Sequence, residues 1–157
     1  MVTNIVIAGI GGQGVVKASD ILADAALAAG FDVKKSELHG MSQRGGSVTS
    51  DVRYGDLVLS PMVPPGEADV LLVLEPTQTD INRPLLRAGG RLIGPEIIEP
   101  GRLRNRKSLN VAMLGALSTM LDIAEQHWLD AVRANLAEKL HAINAQAFAL
   151  GREAATR

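Results

Sequence analysis

Short apolar runs alternate with longer amphipathic segments along the first third of the chain. Residues 4–8 form a compact apolar run, which is typical of a buried parallel strand. A glycine-rich turn follows, and residues 15–29 place alanine, valine and leucine near helical spacing before Gly30, a natural helix stop. Residues 31–37 predict a second strand. Strand, glycine turn, helix and strand predict the opening of a Rossmann-like, doubly wound α/β sheet.

The middle of the chain continues in extended segments. Residues 47–53 alternate between apolar and polar positions and predict a third strand. Tyr54-Gly55-Asp56 has the composition of a turn, so residues 57–59 are predicted to return as the second strand of a hairpin. After an irregular proline-containing loop, residues 69–74 predict another buried strand.

The last part of the chain becomes helical. Residues 77–87 predict a modest helix that ends before Gly89-Gly90, and residues 91–93 a short strand. From Asn110, a candidate helix cap, the apolar spacing predicts three helices in succession. No repeat or linker divides the chain. We therefore expect one domain over residues 1–157, with a helical C-terminal segment.

Composition excludes several classes of function. The 16 basic and 17 acidic residues give a net charge of −1, which offers no electrostatic reason to expect nucleic acid or a membrane surface. The chain contains no cysteine, so it cannot form a disulfide, use a thiolate nucleophile or ligate an iron–sulfur cluster through cysteine. No apolar stretch approaches the roughly 20 residues of a membrane span, and no basic leader precedes the first strand. We expect a cytoplasmic protein.

A glycine-rich turn follows the first predicted strand. Its glycines match a dinucleotide-binding Gly-x-Gly-x-x-Gly motif and add one more glycine inside it: Gly9, Gly11, Gly12 and Gly14. Such a turn lets the backbone approach a pyrophosphate at a helix N-terminus. The ribose-binding acid of the motif has one candidate, Glu37, and two lysines precede it. The alternative is that these glycines only let the helix pack closely on the strand.

A second glycine-rich loop follows the second predicted strand and contains Gln43, Arg44, Gly45 and Gly46. Adjacent glycines permit backbone conformations that other residues rarely adopt, and a guanidinium can bind a carboxylate or phosphate with two hydrogen bonds. The loop lies at the carboxyl end of a strand, where open α/β sheets bind ligands. The alternative is a solvated turn with a surface arginine.

No catalytic residue or metal site is predicted. His39 has only Glu37 nearby in sequence, and His127 and His141 fall on predicted helices without a partner of metal-ligand spacing. Ser42 and Ser47 have no recognisable His–Asp arrangement to activate them, so nucleophilic catalysis is not predicted. Glu75 ends a buried strand before a proline, where it could be functional, cap the next helix or pair with an arginine.

Together the two glycine motifs resemble the gamma subunit, or gamma domain, of 2-oxoacid:ferredoxin oxidoreductases. Within that family the chain is most similar to the small beta subunits of indolepyruvate oxidoreductases. The likeness covers almost the whole chain and includes residues 47–55, 66–75, 110–116 and 144–151, in the same order and at similar spacing.

The resemblance implies an accessory subunit that is not catalytic by itself. Complexes of this family oxidatively decarboxylate a 2-oxoacid, usually to an acyl-coenzyme A, and pass electrons to ferredoxin or a similar acceptor. It implies that thiamine diphosphate, magnesium and the iron–sulfur clusters lie on partner subunits and that this chain carries no cofactor. An aryl or indole 2-oxoacid is the favoured substrate class. Residues 43–46 are then a possible coenzyme A, anion or subunit contact.

Two alternatives remain open from the residues themselves. One is an independent dinucleotide-binding enzyme or regulator that uses the first glycine turn. The other is an interaction module without catalytic activity that captures an anionic ligand through the Arg44 loop.

Overall fold

The computed structural model describes residues 1–40 and 46–157, and these form one five-stranded sheet with helices. The strands are β1 Val2–Ile10, β2 Asp32–His39, β3 Ser47–Gly55, β4 Ala68–Val73 and β5 Leu86–Ile93. The α-helices are α1 Val15–Ala28, α2 Thr79–Asn82, α3 Leu109–Ser118, α4 Glu125–Asn135 and α5 His141–Ala155. Short 3₁₀ turns cover Pro76–Gln78, Arg83–Leu85, Pro95–Ile97, Arg106–Ser108 and Glu138–Leu140.

The strand order is β2-β3-β1-β4-β5. β4 runs parallel to β1 and β5 parallel to β4, as in a Rossmann-like sheet. β3 is antiparallel to both β1 and β2, and it lies between them. The predicted α/β class with a helical C-terminal segment is confirmed. The sheet is mixed, however, because a β2–β3 hairpin replaces the parallel neighbour that a classical doubly wound sheet places beside β1.

The predicted hairpin around residues 54–56 is wrong. Tyr54 and Gly55 continue β3 and pair with Val33 and Asp32 of β2, and residues 57–59 form no strand. The antiparallel connection is instead the second glycine-rich loop, which links β2 to β3.

The four longer helices pack on one face of the sheet. Ile5 and Ile7 of β1 point into this layer, where the largest buried side chains include Trp128 of α4 and Phe148 of α5. The rings of Trp128 and Phe148 lie 6.1 Å apart, centroid to centroid. None of the helices in the described ranges has both the length and the hydropathy needed to cross a bilayer.

The opposite face of the sheet is covered by a smaller cluster of buried side chains. Val6 and Ala8 point to this side, where Val63 and Leu85 pack against the sheet. Residues 56–67, called here the crossing segment, run over this face from the end of β3 to the start of β4. The predicted helix over residues 77–87 reduces to the short α2 with its flanking 3₁₀ turns, and β5 begins earlier than predicted.

Candidate functional site

The first glycine turn joins the end of β1 to α1, as the sequence predicts. Gly12 and Gly14 have φ angles of +89° and +79°, in the left-handed region that favours glycine. Gly14 is the N-cap of α1, and no side chain caps this end or places a carboxylate in its first turn. The turn therefore leaves the positive end of the α1 dipole without an acidic partner of its own.

The side chains of Gln13 and Glu75 stabilise the turn by hydrogen bonds. The Gln13 Oε1 atom accepts a hydrogen bond from the Ile10 amide at 2.9 Å, and its Nε2 donates to Glu75 Oε1 at 3.1 Å. Glu75 follows β4, the parallel neighbour of β1, and also caps the next 3₁₀ turn by accepting from the Thr77 amide. The capping role considered for Glu75 is confirmed. Gln13, an unspecified position of the glycine motif, gives no sequence signal of its own.

Gly9 and Gly14 are both sterically constrained, but by different neighbours. A Cβ atom on Gly9 would lie 2.8 Å from Val15 Cγ2, so Gly9 allows α1 to start close against β1. A Cβ atom on Gly14 would lie 2.5 Å from Asn110 Nδ2, and that nitrogen donates to the Gly14 carbonyl at 3.2 Å. Asn110 is therefore not the cap of α3, which begins at Leu109. It ties α3 to the glycine turn instead.

Basic side chains lie beside the turn. An open cavity of about 470 Å³ is lined by Gly12, Gln13 and Gly14 on one side and by Arg106 and Lys107 on the other, with apolar contributions from Leu103 and Leu109. Both basic residues belong to the basic run of residues 102–107, for which the sequence alone predicts a solvated loop. A helix N-terminus facing two cationic side chains has the electrostatic character that an anion requires.

Glu37 does not occupy the position of a ribose-binding acid. It lies on β2, and β3 separates β2 from β1, which puts the two strands about 10 Å apart at the usual interstrand spacing. Lys35 Nζ lies 2.9 Å from Glu37 Oε1 and 2.8 Å from Asp20 Oδ1. The hydrogen bond from Lys35 lowers the pKa of Glu37. The carboxylate is thus engaged in a partly exposed ion-pair network away from the glycine turn.

The two glycine motifs meet at one end of the sheet. The Gly11 amide donates to the Gly46 carbonyl at 2.9 Å, and the Gly40 amide donates to the Ser47 carbonyl at 2.6 Å. Gln43, Arg44 and Gly45 lie outside the described residues, so the role predicted for them stays a prediction. The flanks of their loop nevertheless reach the first glycine turn, because β3 is the direct neighbour of β1.

The histidines do not assemble a catalytic or metal centre. His39 is well exposed, with its Nε2 atom 3.7 Å from Glu37 Oε2. His141 Nε2 lies 2.8 Å from the Leu136 carbonyl oxygen, a contact that joins the end of α4 to the start of α5. Across the ranges that the structure describes, no three His, Asp or Glu side chains come together as a metal site.

Comparison with known proteins identifies a family. Residues 4–104 match the family model described as pyruvate ferredoxin/flavodoxin oxidoreductase. Indolepyruvate oxidoreductase subunit IorB of Pyrococcus horikoshii is 41% identical over 138 residues, which cover 87% of this chain and 66% of the relative. The common gamma subunit of pyruvate/ketoisovalerate oxidoreductases of Thermococcus litoralis is 31% identical over 120 residues, 73% of this chain and 65% of the relative. The matches thus span slightly less than two thirds of these relatives.

Solved structures share the fold over almost the whole chain. The gamma subunit of a keto/oxoacid ferredoxin oxidoreductase from Geobacter sulfurreducens superposes with a TM-score of 0.83 at 24% identity, covering 99% of this chain and 97% of that one. A 2-oxoglutarate:ferredoxin oxidoreductase from Magnetococcus marinus, solved with 2-oxoglutarate, coenzyme A and succinyl-CoA, gives a TM-score of 0.85 at 21% identity. There the match covers 99% of this chain but only 31% of the longer chain.

Proposed function

Because the chain belongs to the pyruvate ferredoxin/flavodoxin oxidoreductase family, we propose that it is the small subunit of a 2-oxoacid:acceptor oxidoreductase complex and is not catalytic alone. The observation that carries this proposal is the 41% identity to a curated subunit of such a complex over 87% of the chain. The complex oxidatively decarboxylates a 2-oxoacid to an acyl-coenzyme A. It passes the electrons to ferredoxin or a similar acceptor, in the cytoplasm.

The favoured substrate is an aryl or indole 2-oxoacid. Curated relatives named as indolepyruvate oxidoreductase subunits are 41% identical to this chain, whereas a common subunit named for pyruvate and ketoisovalerate is 31% identical. In this proposal, a partner subunit selects the substrate. The assignment rests on similarity and is tested by the substrate profile of the whole complex.

The residues of this chain do not fit the redox and decarboxylation cofactors. Iron–sulfur clusters are held by cysteine thiolates, and the sequence has no cysteine. The resemblance adds that a Gly-Asp-Gly segment followed by Asn, which holds the magnesium-bound diphosphate on other chains of such complexes, is absent from this sequence. Thiamine diphosphate, magnesium and the clusters are therefore assigned to partner subunits.

The end of the sheet where the glycine motifs meet is the proposed contact for an anion, such as a coenzyme A phosphate, or for a partner subunit. Three features support this role. The N-terminus of α1 is presented by the turn that contains Gly9, Gly11, Gly12 and Gly14. The adjacent cavity is lined by Arg106 and Lys107. The hydrogen bond between Gly11 and Gly46 brings the flank of the Arg44 loop to the same end of the sheet. The sequence motif of residues 43–46 adds a guanidinium suited to a phosphate or carboxylate.

Purification of the tagged chain from its native host tests the proposal. We expect a large partner chain to co-purify in a fixed ratio, with bound thiamine diphosphate and iron. The complex should reduce ferredoxin in the presence of coenzyme A and an aryl or indole 2-oxoacid, with a higher kcat/KM than for pyruvate. Isolation without such a partner, or with one that lacks both cofactors, would contradict the proposal. A preference for pyruvate would contradict only the substrate class.

A further inference from the structure

Apolar side chains project outward from the crossing segment. Leu57, Leu59 and Met62 are 64%, 85% and 63% exposed, whereas Val58 and Val63 are buried at 2% and 6%. The segment therefore covers the face of the sheet opposite the long helices with its valines and presents larger apolar side chains to the outside. Exposed apolar clusters of this kind mark interaction sites more often than scattered single residues do.

The sheet holds the backbone of the crossing segment in this orientation. Its backbone makes three hydrogen bonds with polar side chains of β2 and β3: Val58 N to Asp32 Oδ2 at 2.7 Å, Arg53 Nη1 to Ser60 O at 2.9 Å and Val63 N to Asp51 Oδ2 at 2.9 Å. A segment anchored at three points along its length cannot turn its leucines inward without breaking these bonds. The outward apolar side chains are thus preorganised, which lowers the entropy lost on binding a partner.

Further apolar side chains lie on the same face. Leu38 of β2 pairs with Thr49 of β3 and, with Ile81 of α2 and Pro84, lines an open groove of about 400 Å³. Leu38 and Ile81 are both well exposed. The long helices all pack on the other side of the sheet, and among the described residues this face exposes several large apolar side chains.

The charges around the crossing segment indicate the kind of partner. The sequence has no charged residue from Leu57 to Gly66, and this stretch is bounded by exposed Asp56 and Glu67. Neither acid forms an ion pair with another described residue, whereas the nearby Lys34 pairs with Asp32. A partner with a complementary surface would therefore present an uncharged apolar strip with basic residues at its two ends. A second copy docked by two-fold symmetry through this segment would bring the acidic ends of the two segments together, which is unfavourable.

We propose that the crossing segment, with Leu57, Leu59 and Met62 at its centre, is the docking surface for the larger subunit of the oxidoreductase complex. This inference rests on the proposed function. The larger subunit is expected to contribute an apolar surface flanked by lysine or arginine.

Two matched variants test the surface by their effect on assembly with the larger subunit. Leu59→Asp places a charge at the centre of the segment, and Leu27→Asp places the same charge on α1, where Leu27 is also exposed at 55% but on the helical side. Titrating the isolated large subunit with each variant, we expect Leu59→Asp to weaken association at least tenfold and Leu27→Asp to change it less than twofold. Both variants should keep the wild-type melting temperature. Glu67→Lys should slow association and reduce its dependence on salt.

Each result has a separate meaning. If the wild-type chain binds no thiamine- and cluster-bearing subunit, the proposed function fails. If it binds and Leu59→Asp binds equally well, the proposed function stands but the docking surface is wrong. If the isolated wild-type chain is a dimer that Leu59→Asp converts to a monomer, the face joins two copies of this chain, and the assignment to the larger subunit is overturned.

Discussion

Replacing Gly14 by valine tests whether the first glycine turn is constrained by packing. Two costs are expected. A β-branched residue at φ +79° adopts the left-handed conformation, at about 1–3 kcal/mol. Its Cβ atom also meets Asn110 Nδ2 at 2.5 Å, and the buried Asn110 side chain has little room to move without losing its hydrogen bond to the Gly14 carbonyl. Overpacking of this kind costs roughly 1–3 kcal/mol.

Gly12→Val is the matched control, because Gly12 has φ +89° but a Cβ atom added there would have no neighbour within 4 Å. We expect Gly14→Val to lower the free energy of unfolding by about 2–6 kcal/mol and Gly12→Val by about 1–3 kcal/mol. For a chain of this size these losses correspond to decreases in melting temperature of about 4–24 °C and about 2–12 °C.

Urea and thermal unfolding of Gly14→Val and Gly12→Val, each alone and each combined with Asn110→Ala, measure the difference in stability between the two glycine variants. Removing the Asn110 side chain should reduce the penalty of Gly14→Val to that of Gly12→Val. Equal penalties for the two glycine variants, with no coupling to Asn110, would refute the packing argument. If Gly14→Val keeps the wild-type stability but inactivates the assembled complex, the turn acts on a ligand instead.

Three further predictions concern charge and ligand binding. Burial raises the pKa of Asp51, so the folded chain holds this proton more tightly than the unfolded chain, and the resulting stability is lost as the pH rises through the folded-state pKa. The Asp51→Asn variant keeps an oxygen acceptor for the Val63 amide. The melting temperature of this variant should therefore equal or exceed that of the wild type at pH 7, and the difference should shrink at pH 4 and below. A melting temperature clearly below that of the wild type at pH 7 would contradict the argument. The isolated chain should bind NAD(P)H weakly or not at all, because β3 separates Glu37 from the glycine turn; micromolar affinity by calorimetry would support the dinucleotide-binding alternative instead. Arg44→Ala should leave the lone subunit folded but weaken assembly or raise the apparent KM for coenzyme A, since loss of one member of a desolvated charge pair costs about 2–5 kcal/mol. If both the assembly and the apparent KM match those of the wild type, Arg44 is an ordinary surface residue.

The β1–turn–α1 unit can be predicted from sequence because its signals are local. A buried apolar run, a glycine turn and helical spacing follow one another within 30 residues, and each predicts its element from its own period. The position of β2 in the sheet cannot be predicted in the same way. Strand order depends on which distant segment pairs with β1, and the interposed β3 displaces Glu37 from the place that the dinucleotide motif assigns to it.

Two glycines that the sequence pattern predicts to lie in turns or at the ends of elements, Gly55 and Gly90, lie within strands in the structure. Gly55 lies at the end of β3, where a side chain would overlap the Met1 carbonyl, so close approach of β1 explains this glycine. Gly90 lies within β5, where a Cβ atom would be 2.9 Å from Leu86 Cγ. Composition alone does not distinguish a glycine needed for a turn from one needed for close packing. The role of Asn110 is equally hidden from local sequence, since its partner Gly14 is 96 residues away.

The central position of β1 has a consequence for how the chain folds during synthesis. β1 is synthesised before both strands that flank it, β3 and β4, and α1 and β2 are made in between. Until residue 55 has been added, the apolar strand has no complete partner on either edge. Residues 1–40 therefore contain neither of the two strands that pair with β1. A deletion that removes β1 would separate the β2–β3 hairpin from the β4–β5 pair, whereas loss of the outer strand β5 would leave the other pairings in place.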